Sequence, residues 1–475
     1  MTTDSLFWYD LETTGRDPAR DRILQFAGQR TDLSLRPVGN PINLLCKPPR
    51  DALPDPEAIA LTGISFDQCE SEGLDEYEFA HRILEALEPP GTCVLGFNSL
   101  RFDDEFLRNL FYRNLLDPYA REWQNDRSRW DLIDVVRLCR ALRPRGIEWP
   151  TDDTGKAVNR LEQLTQANGL THASAHDALS DVNATIAVAN LIKTRQPRLF
   201  DFAFSHRDKR SAAQLLDLHN PTPLLHVSGM YGADRSFVAV VLPIAGHPTN
   251  RNGILVADLQ YDGKPFAALS TEALRERWFG DKESLGDVPR LPVKTVHTNR
   301  CPVLAPLSVL AEGDAERLGI DTDAALAHAT AWQNTSLTRS LEAILSDPQF
   351  DSPTDPELQL YSGGFFSPRD RGLMNEVART PPSQLRSFDA SRFEDNRLPT
   401  LLFRLRARNW PGTLTESEQQ TWNTWLDGAL DDGNLRRTDT QSFRESITRI
   451  RGERPHTAQL MTELEQWYTR AFSSR

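Results

Sequence analysis

A chain of 475 residues, 39% hydrophobic and 25% charged, has the composition of a globular protein and room for roughly three domains. Its formal net charge of −13 excludes a protein that coats nucleic acid indiscriminately, although a local basic groove can coexist with an acidic remainder. No apolar run is long enough to span a membrane, the N-terminus MTTDSLFWYD lacks a signal-peptide core, and five cysteines without a CxxC pair point to a reducing cytoplasm, with neither a disulfide framework nor a zinc site.

The first predicted element is a strand, LFWYDLE over 6–12, built from aromatic residues that favour strands. Side chains two apart share a strand face, so Asp10 and Glu12 point together and Leu11 points away. Two readings stand for these residues alone: ligands of a divalent cation, or an edge strand with two solvated acids. Further strands are expected over 22–31 and 91–98, and helices over 78–88, 103–115, 131–142, 159–168 and 177–193. The last has Leu179, Val182, Ile186 and Ala189 at helical spacing. Residues 1–195 therefore read as an α/β domain, bounded by the basic, proline-containing KTRQPRLF. Residues 196–350 begin with short β-rich runs such as LLHVSGMYG, FVAVVLPIAGHP and NGILVADLQYDG, separated by Gly, Pro and Asn. They predict a small barrel or sandwich, with a helix near 271–279 and helices from about 313 onward. Residues 351–475 read as a helical domain, for example over 416–430 and 456–472.

Two more clusters carry chemistry. Asp103 and Asp104 in GFNSLRFDDEF stand where a helix begins, and either is read alone as a capping acid. THASAHDALSD supplies His172, His176, Asp177 and Asp181. His176 and Asp181 are offset by about 140° on an ideal helix, so they converge only if His176 precedes its first turn. Taken together, Asp-x-Glu, an Asp, and His-x4-Asp supply four carboxylates and an imidazole in one α/β segment. Four carboxylates suit two divalent ions about 3.5–4 Å apart, which clamp the attacking and leaving oxygens of a phosphoryl displacement. A neutral histidine can accept the proton of the attacking water. Residue chemistry alone thus reaches metal-assisted phosphodiester hydrolysis.

In this order, YDLETTG, RFDDEF and AHDALSD resemble the DEDDh class of 3′→5′ exonucleases. The acid after the Phe is the ligand in that class, which selects Asp103 over Asp104, a choice that spacing cannot make. The resemblance extends over GFNSLRFDDEFLRNLFYRNLLDPYAREWQNDRSRWDLIDV, KTRQPRLFD, HVSGMYGA, NRCPVLAP and LLFRLRARNWPGTL, which look like the bacterial exodeoxyribonuclease I family. It implies a ribonuclease H-like exonuclease domain with a mixed sheet (1–195), an SH3-like β domain (196–350) and a helical C-terminal domain (351–475), forming a C-shaped channel. It also implies an enzyme that degrades single-stranded DNA from the 3′ end to 5′-mononucleotides, in DNA repair and recombination. Asp10, Glu12, Asp103 and Asp181 would hold two Mg²⁺, which Mn²⁺ can replace, and His176 would be the general base. Glu12 and Arg160 would meet the substrate. His172 carries no assigned role. The family pattern often has an aromatic where Leu11 stands, and because Leu11 faces away from the acids little effect is expected.

Sequence-tolerant binding of a single strand needs cations for phosphates and aromatic faces for bases. Arg108, Tyr119, Trp123 and Arg137 are candidates in the first domain, and Lys209, Asn252, Phe279 and Lys294 in the second. Arg404, Arg406 and Arg408 alternate in LLFRLRARNW and are read as anchors between domains. The resemblance also implies a cytoplasmic monomer and docking of the acidic C-terminal tail of single-stranded DNA-binding protein, for which Arg143 is the candidate basic residue. Two other functions fit parts of the pattern. A DEDDh RNA exonuclease or proofreading subunit does not need the long region after residue 195. A catalytically inactive DNA-binding scaffold does not need five intact site residues.

Overall fold

Strand β1 (Ser5–Thr13) is the centre of the first sheet. It pairs antiparallel with β2 (Ile23–Thr31), which pairs antiparallel with β3 (Ile42–Leu45). On its other side β1 runs parallel to β4 (Thr92–Gly96), and β5 (Ser128–Asp131) completes the order β3-β2-β1-β4-β5. The expected mixed sheet is present, and β1 is no edge strand, which removes the reading of two solvated edge acids. The computed structural model describes residues 3–172, 177–333, 335–347, 352–431 and 439–472.

Alternation along β1 sorts its side chains as its sequence requires. Phe7, Tyr9 and Leu11 enter an apolar core with Phe79, Ile83, Phe106 and Leu110. Trp8, Asp10 and Glu12 take the other face, where the Trp8 indole donates to Thr31 Oγ1 at 2.9 Å. The close approach of β4 to β1 explains Gly96, since a Cβ there would lie 2.6 Å from the Tyr9 carbonyl oxygen. The chain then turns through Ser99–Arg101 into the helix Asp103–Arg113.

The described chain forms two compact units, neither contiguous in sequence. The first contains residues 1–129, 172–186 and 352–475; the second contains 130–171 and 187–351. In the first unit the C-terminal helices share a core with the sheet region: Leu24, Ile59 and Phe66 pack with Trp422, Phe443, Ile447, Met461 and Trp467. Another core joins Tyr112 and Leu115 to Leu373, Leu398 and Leu402. The three alternating arginines are buried there. Arg404 pairs with Asp355 at 2.7 Å, Arg406 with Glu418 at 2.7 Å, and Arg408 with Asp51 at 2.9 Å.

The second unit carries one five-stranded antiparallel sheet. Its order is β10 (Val303–Pro306), β6 (Leu224–Val227), β7 (Val238–Gly246), β8 (Gly253–Asp258), β9 (Val293–His297). Among the described residues there is no second facing sheet in this unit, so the sandwich alternative falls away. Leu224, Ala239, Val241, Val256, Val296 and Leu304 form its core. All five cysteines are free, and no described helix is long and apolar enough to cross a membrane.

Candidate metal centre

Asp10 and Glu12 leave β1 on one face, and the helix Ala178–Arg195 brings Asp181 to them from its first turn. That helix starts where it does because Asp177 caps it, its Oδ2 accepting the Ser180 amide at 3.0 Å. One carboxylate oxygen each of Asp10, Glu12 and Asp181 lies within 4.8 Å of the others. Burial, then the charges of Asp181 and Asp177, hold the Asp10 carboxyl well above the usual range. Burial, then Asp10, Asp181 and Asp177, push Glu12 up to about 9. Three carboxylates at this separation cannot all be charged without compensation, and hard oxygen donors are what Mg²⁺, Mn²⁺ or Ca²⁺ bind. The donor set therefore fits a divalent cation.

A pH dependence follows. The folded value of Glu12, about 9, exceeds its ordinary 4.5. Between them the folded state binds the extra proton, so raising the pH through this window removes stability. The melting temperature in EDTA is expected to fall between about pH 5 and pH 9. Because a bound cation displaces protons, Mn²⁺ should restore the melting temperature most at the alkaline end. A cation-induced gain of equal size at both ends of the window would contradict this account.

Asp103 and Asp104 part company on the helix they begin. Asp104 is buried and accepts from Arg121 at 2.7 Å, Arg129 at 2.6 Å and the Tyr9 hydroxyl at 2.8 Å. These guanidinium groups hold its carboxyl far below the usual range despite burial. Asp103 is buried beside it, near enough for its charge to help raise the Tyr9 phenol. It stands outside the group of acids within 4.8 Å of one another, so the structure brings together three of the four expected ligands. His176 lies outside the described residues. His172 instead reaches the cluster, with Nε2 2.5 Å from Asp181 Oδ1. Asp177 also belongs to the surroundings, its Oδ1 3.4 Å from the Gln25 amide nitrogen on β2, opposite Glu12 in register. No periodicity marks these two partners; only their place in the same His- and Asp-rich segment could have flagged them.

The expected nucleic-acid contacts occupy varied environments. In the first unit Trp123 is 60% exposed. Arg108 is only 4% exposed, pairs with Glu122 at 2.7 Å and Glu105 at 2.8 Å, and lies 5.6 Å from the Tyr119 ring centroid. In the second unit Arg160, Lys209 and Phe279 are exposed at helix ends. Arg137 pairs with Asp134 at 2.6 Å and lies over the Phe237 ring. Lys294 donates to Ser228 Oγ at 3.2 Å and lies 4.6 Å from the Tyr231 ring centroid. Asn252 is half-buried, its carbonyl accepting the Thr298 amide at 2.8 Å. Arg143 lines a cavity of about 390 Å³ with Leu138, Leu142, Arg198, Phe202 and Val309. It donates to the Val309 carbonyl at 2.8 Å and meets Asp314 at 3.3 Å.

Comparison with known proteins places these features. Residues 7–189 match the family model described as exonuclease, 207–347 the exonuclease I SH3-like domain, and 354–471 the exonuclease I C-terminal domain. Exodeoxyribonuclease I of Escherichia coli strain K12 is 48% identical over 420 residues, 88% of each chain. The crystal structure of E. coli exonuclease I in complex with a dA16 oligonucleotide superposes with a TM-score of 0.94 at 43% identity, covering 99% of this chain and 100% of that one. A zinc-ion-bound form of the E. coli enzyme–single-stranded DNA complex gives 0.93 at 43% identity, with 99% and 100% covered.

Proposed function

We propose, since this chain belongs to the bacterial exodeoxyribonuclease I family, that it hydrolyses single-stranded DNA from the 3′ end, releasing 5′-mononucleotides, in DNA repair and recombination. The observation that carries the reading is the trio Asp10, Glu12 and Asp181, Glu12 buried and the other two half-buried, gathered within 4.8 Å. Asp103 completes the ligand set for two Mg²⁺, or Mn²⁺ in their place. When bound, the cations supply positive charge to the attacking and leaving oxygens of the displacement. His176 accepts a proton from the attacking water as its oxygen adds to phosphorus and the P–O3′ bond breaks, and the departing O3′ takes a proton from solvent to give a new 3′ hydroxyl. Glu12 and Arg160 hold the terminal nucleotide. The boundaries 195/196 and 350/351 divide the chain into exonuclease, SH3-like and C-terminal domains, and the spans of the three family models support them. Incubation with labelled single-stranded DNA, RNA and duplex DNA, with and without Mg²⁺, tests the reading. Loss of mononucleotides from single-stranded DNA alone, and only with Mg²⁺, is expected. Hydrolysis of RNA in preference to DNA would redirect it.

The strand is held by phosphate contacts and base stacking from Arg108, Tyr119, Trp123, Arg137, Lys209, Asn252, Phe279 and Lys294. Of these, Trp123 and Phe279, 60% and 39% exposed, offer open aromatic faces. Affinity is therefore expected to fall steeply with salt despite the net charge of −13. A logarithmic slope of several negative units is expected, because each phosphate contact releases counterions. A flat response in a salt titration would mean that no basic groove exists. The cavity at Arg143, apolar with Arg198 at its side, is proposed to dock the acidic tail of single-stranded DNA-binding protein, which supplies a carboxylate for the guanidinium and apolar groups for Leu138, Leu142 and Phe202.

A further inference from the structure

The carboxylates of the acid cluster repel one another, and Asp181 is the one best able to escape. Its backbone is fixed in the helix, with its amide donating to the Asp177 carbonyl at 3.0 Å and its carbonyl accepting from Thr185 Oγ1 at 2.8 Å. Rotation of its short side chain is the freedom that remains. Repulsion from Asp10 and Glu12 favours turning that carboxylate toward water, which dismantles the donor set. His172, nine residues earlier and outside the helix, opposes this rotation. Its side chain is 7% exposed, and its Nε2 lies 2.5 Å from Asp181 Oδ1, within hydrogen-bond reach of that carboxylate. His172 touches the ligand and not the cation position, since its nitrogens are outside the donor group that lies within 4.8 Å.

We propose that His172 is a positioning residue, whose imidazole N–H holds the Asp181 carboxylate turned toward Asp10 and Glu12 so that the three meet a divalent cation together. The inference rests on reading the cluster as a metal site. Partners of this kind set the orientation of metal ligands, and their loss typically costs about 10–100-fold in metal affinity. The test uses the full chain with Mn²⁺ alone, without DNA, following free Mn²⁺ by electron paramagnetic resonance. His172→Ala is expected to weaken Mn²⁺ binding about 10–100-fold. His172→Gln, whose amide still donates, should recover most of that loss. Turnover of His172→Ala on single-stranded DNA should rise toward wild type at saturating Mn²⁺, with KM for DNA unchanged. Wild-type Mn²⁺ affinity in His172→Ala would overturn the proposal. So would equal losses in the Ala and Gln variants with no recovery at high Mn²⁺, which marks a general role in folding the segment. Asp181→Asn separates the two levels. If it binds Mn²⁺ as wild type does, the metal reading fails and this inference with it; if it loses Mn²⁺ while both His172 variants bind normally, only this inference fails.

Discussion

Asp10→Ala or Asp181→Ala is expected to abolish hydrolysis while leaving binding of single-stranded DNA in Ca²⁺ near wild type. The two carboxylates contribute oxygens to one small, mutually repelling group. Removing either relieves repulsion, so the fold should hold, but it leaves too few donors for a cation. The loss should exceed about 10³-fold, beyond what removal of a single fixed electrostatic donor costs. The exposed aromatic and basic residues stay in place, and affinity follows them. His176→Ala serves as the graded comparison, with a loss of about 10²–10⁴-fold for a general base and little change in affinity. Single-turnover hydrolysis measured beside binding separates the cases. Turnover near wild type in Asp10→Ala or Asp181→Ala would defeat the metal assignment.

Asp104→Asn should act on stability. Its carboxylate answers two buried guanidinium groups, Arg121 and Arg129, and the buried Tyr9 hydroxyl. An amide offers one acceptor oxygen and no charge. Breaking a buried pair by removing one partner costs about 3–5 kcal/mol, because the other charge stays behind uncompensated. Urea denaturation at pH 7 should show the midpoint falling with an unchanged slope. Asp104 has its folded value lowered from an ordinary 3.8. Its contribution is therefore present above that pH and is lost only as pH falls through the lower folded value. The difference between variant and wild type should thus persist from neutrality down to about pH 4. Asp103→Asn, next along the same helix, should lose turnover and keep stability in EDTA. A cost for Asp104→Asn below about 1 kcal/mol, the scale of an exposed ion pair, would contradict the account.

The contrast between these neighbours shows where reading the sequence runs out. Alternation along β1 was legible, because period-two placement is local: Phe7, Tyr9 and Leu11 went to the core and Asp10 and Glu12 to the opposite face. The helix carrying Asp181 was legible from its apolar spacing to within a few residues. Asp103 and Asp104 were not separable by spacing, since the deciding guanidinium groups come from 17 and 25 residues away. Arg108 likewise looked free, while its partner Glu122 lies 14 residues on and the Tyr361 hydroxyl, 253 residues on, accepts from it. Strands β3 and β5, four residues each, are too short to carry a periodic signal. The bond between His172 and Asp181 follows no repeat at all.

The shared cores of the first unit bear on how this enzyme can be taken apart. Leu24, Ile59 and Phe66 share their core with Trp422, Phe443, Ile447 and Trp467, contributed from the far end of the chain. Asp51, buried next to Arg22, also meets Arg408. A truncation after residue 350 would therefore flay the catalytic sheet region, baring a large oily face and stranding charges that were neutralised in its interior. Modular borrowing of the nuclease alone is closed to this protein. The last hundred or so residues are structural tissue of the active half, and insertions or tags are better tolerated in exposed loops than at that seam.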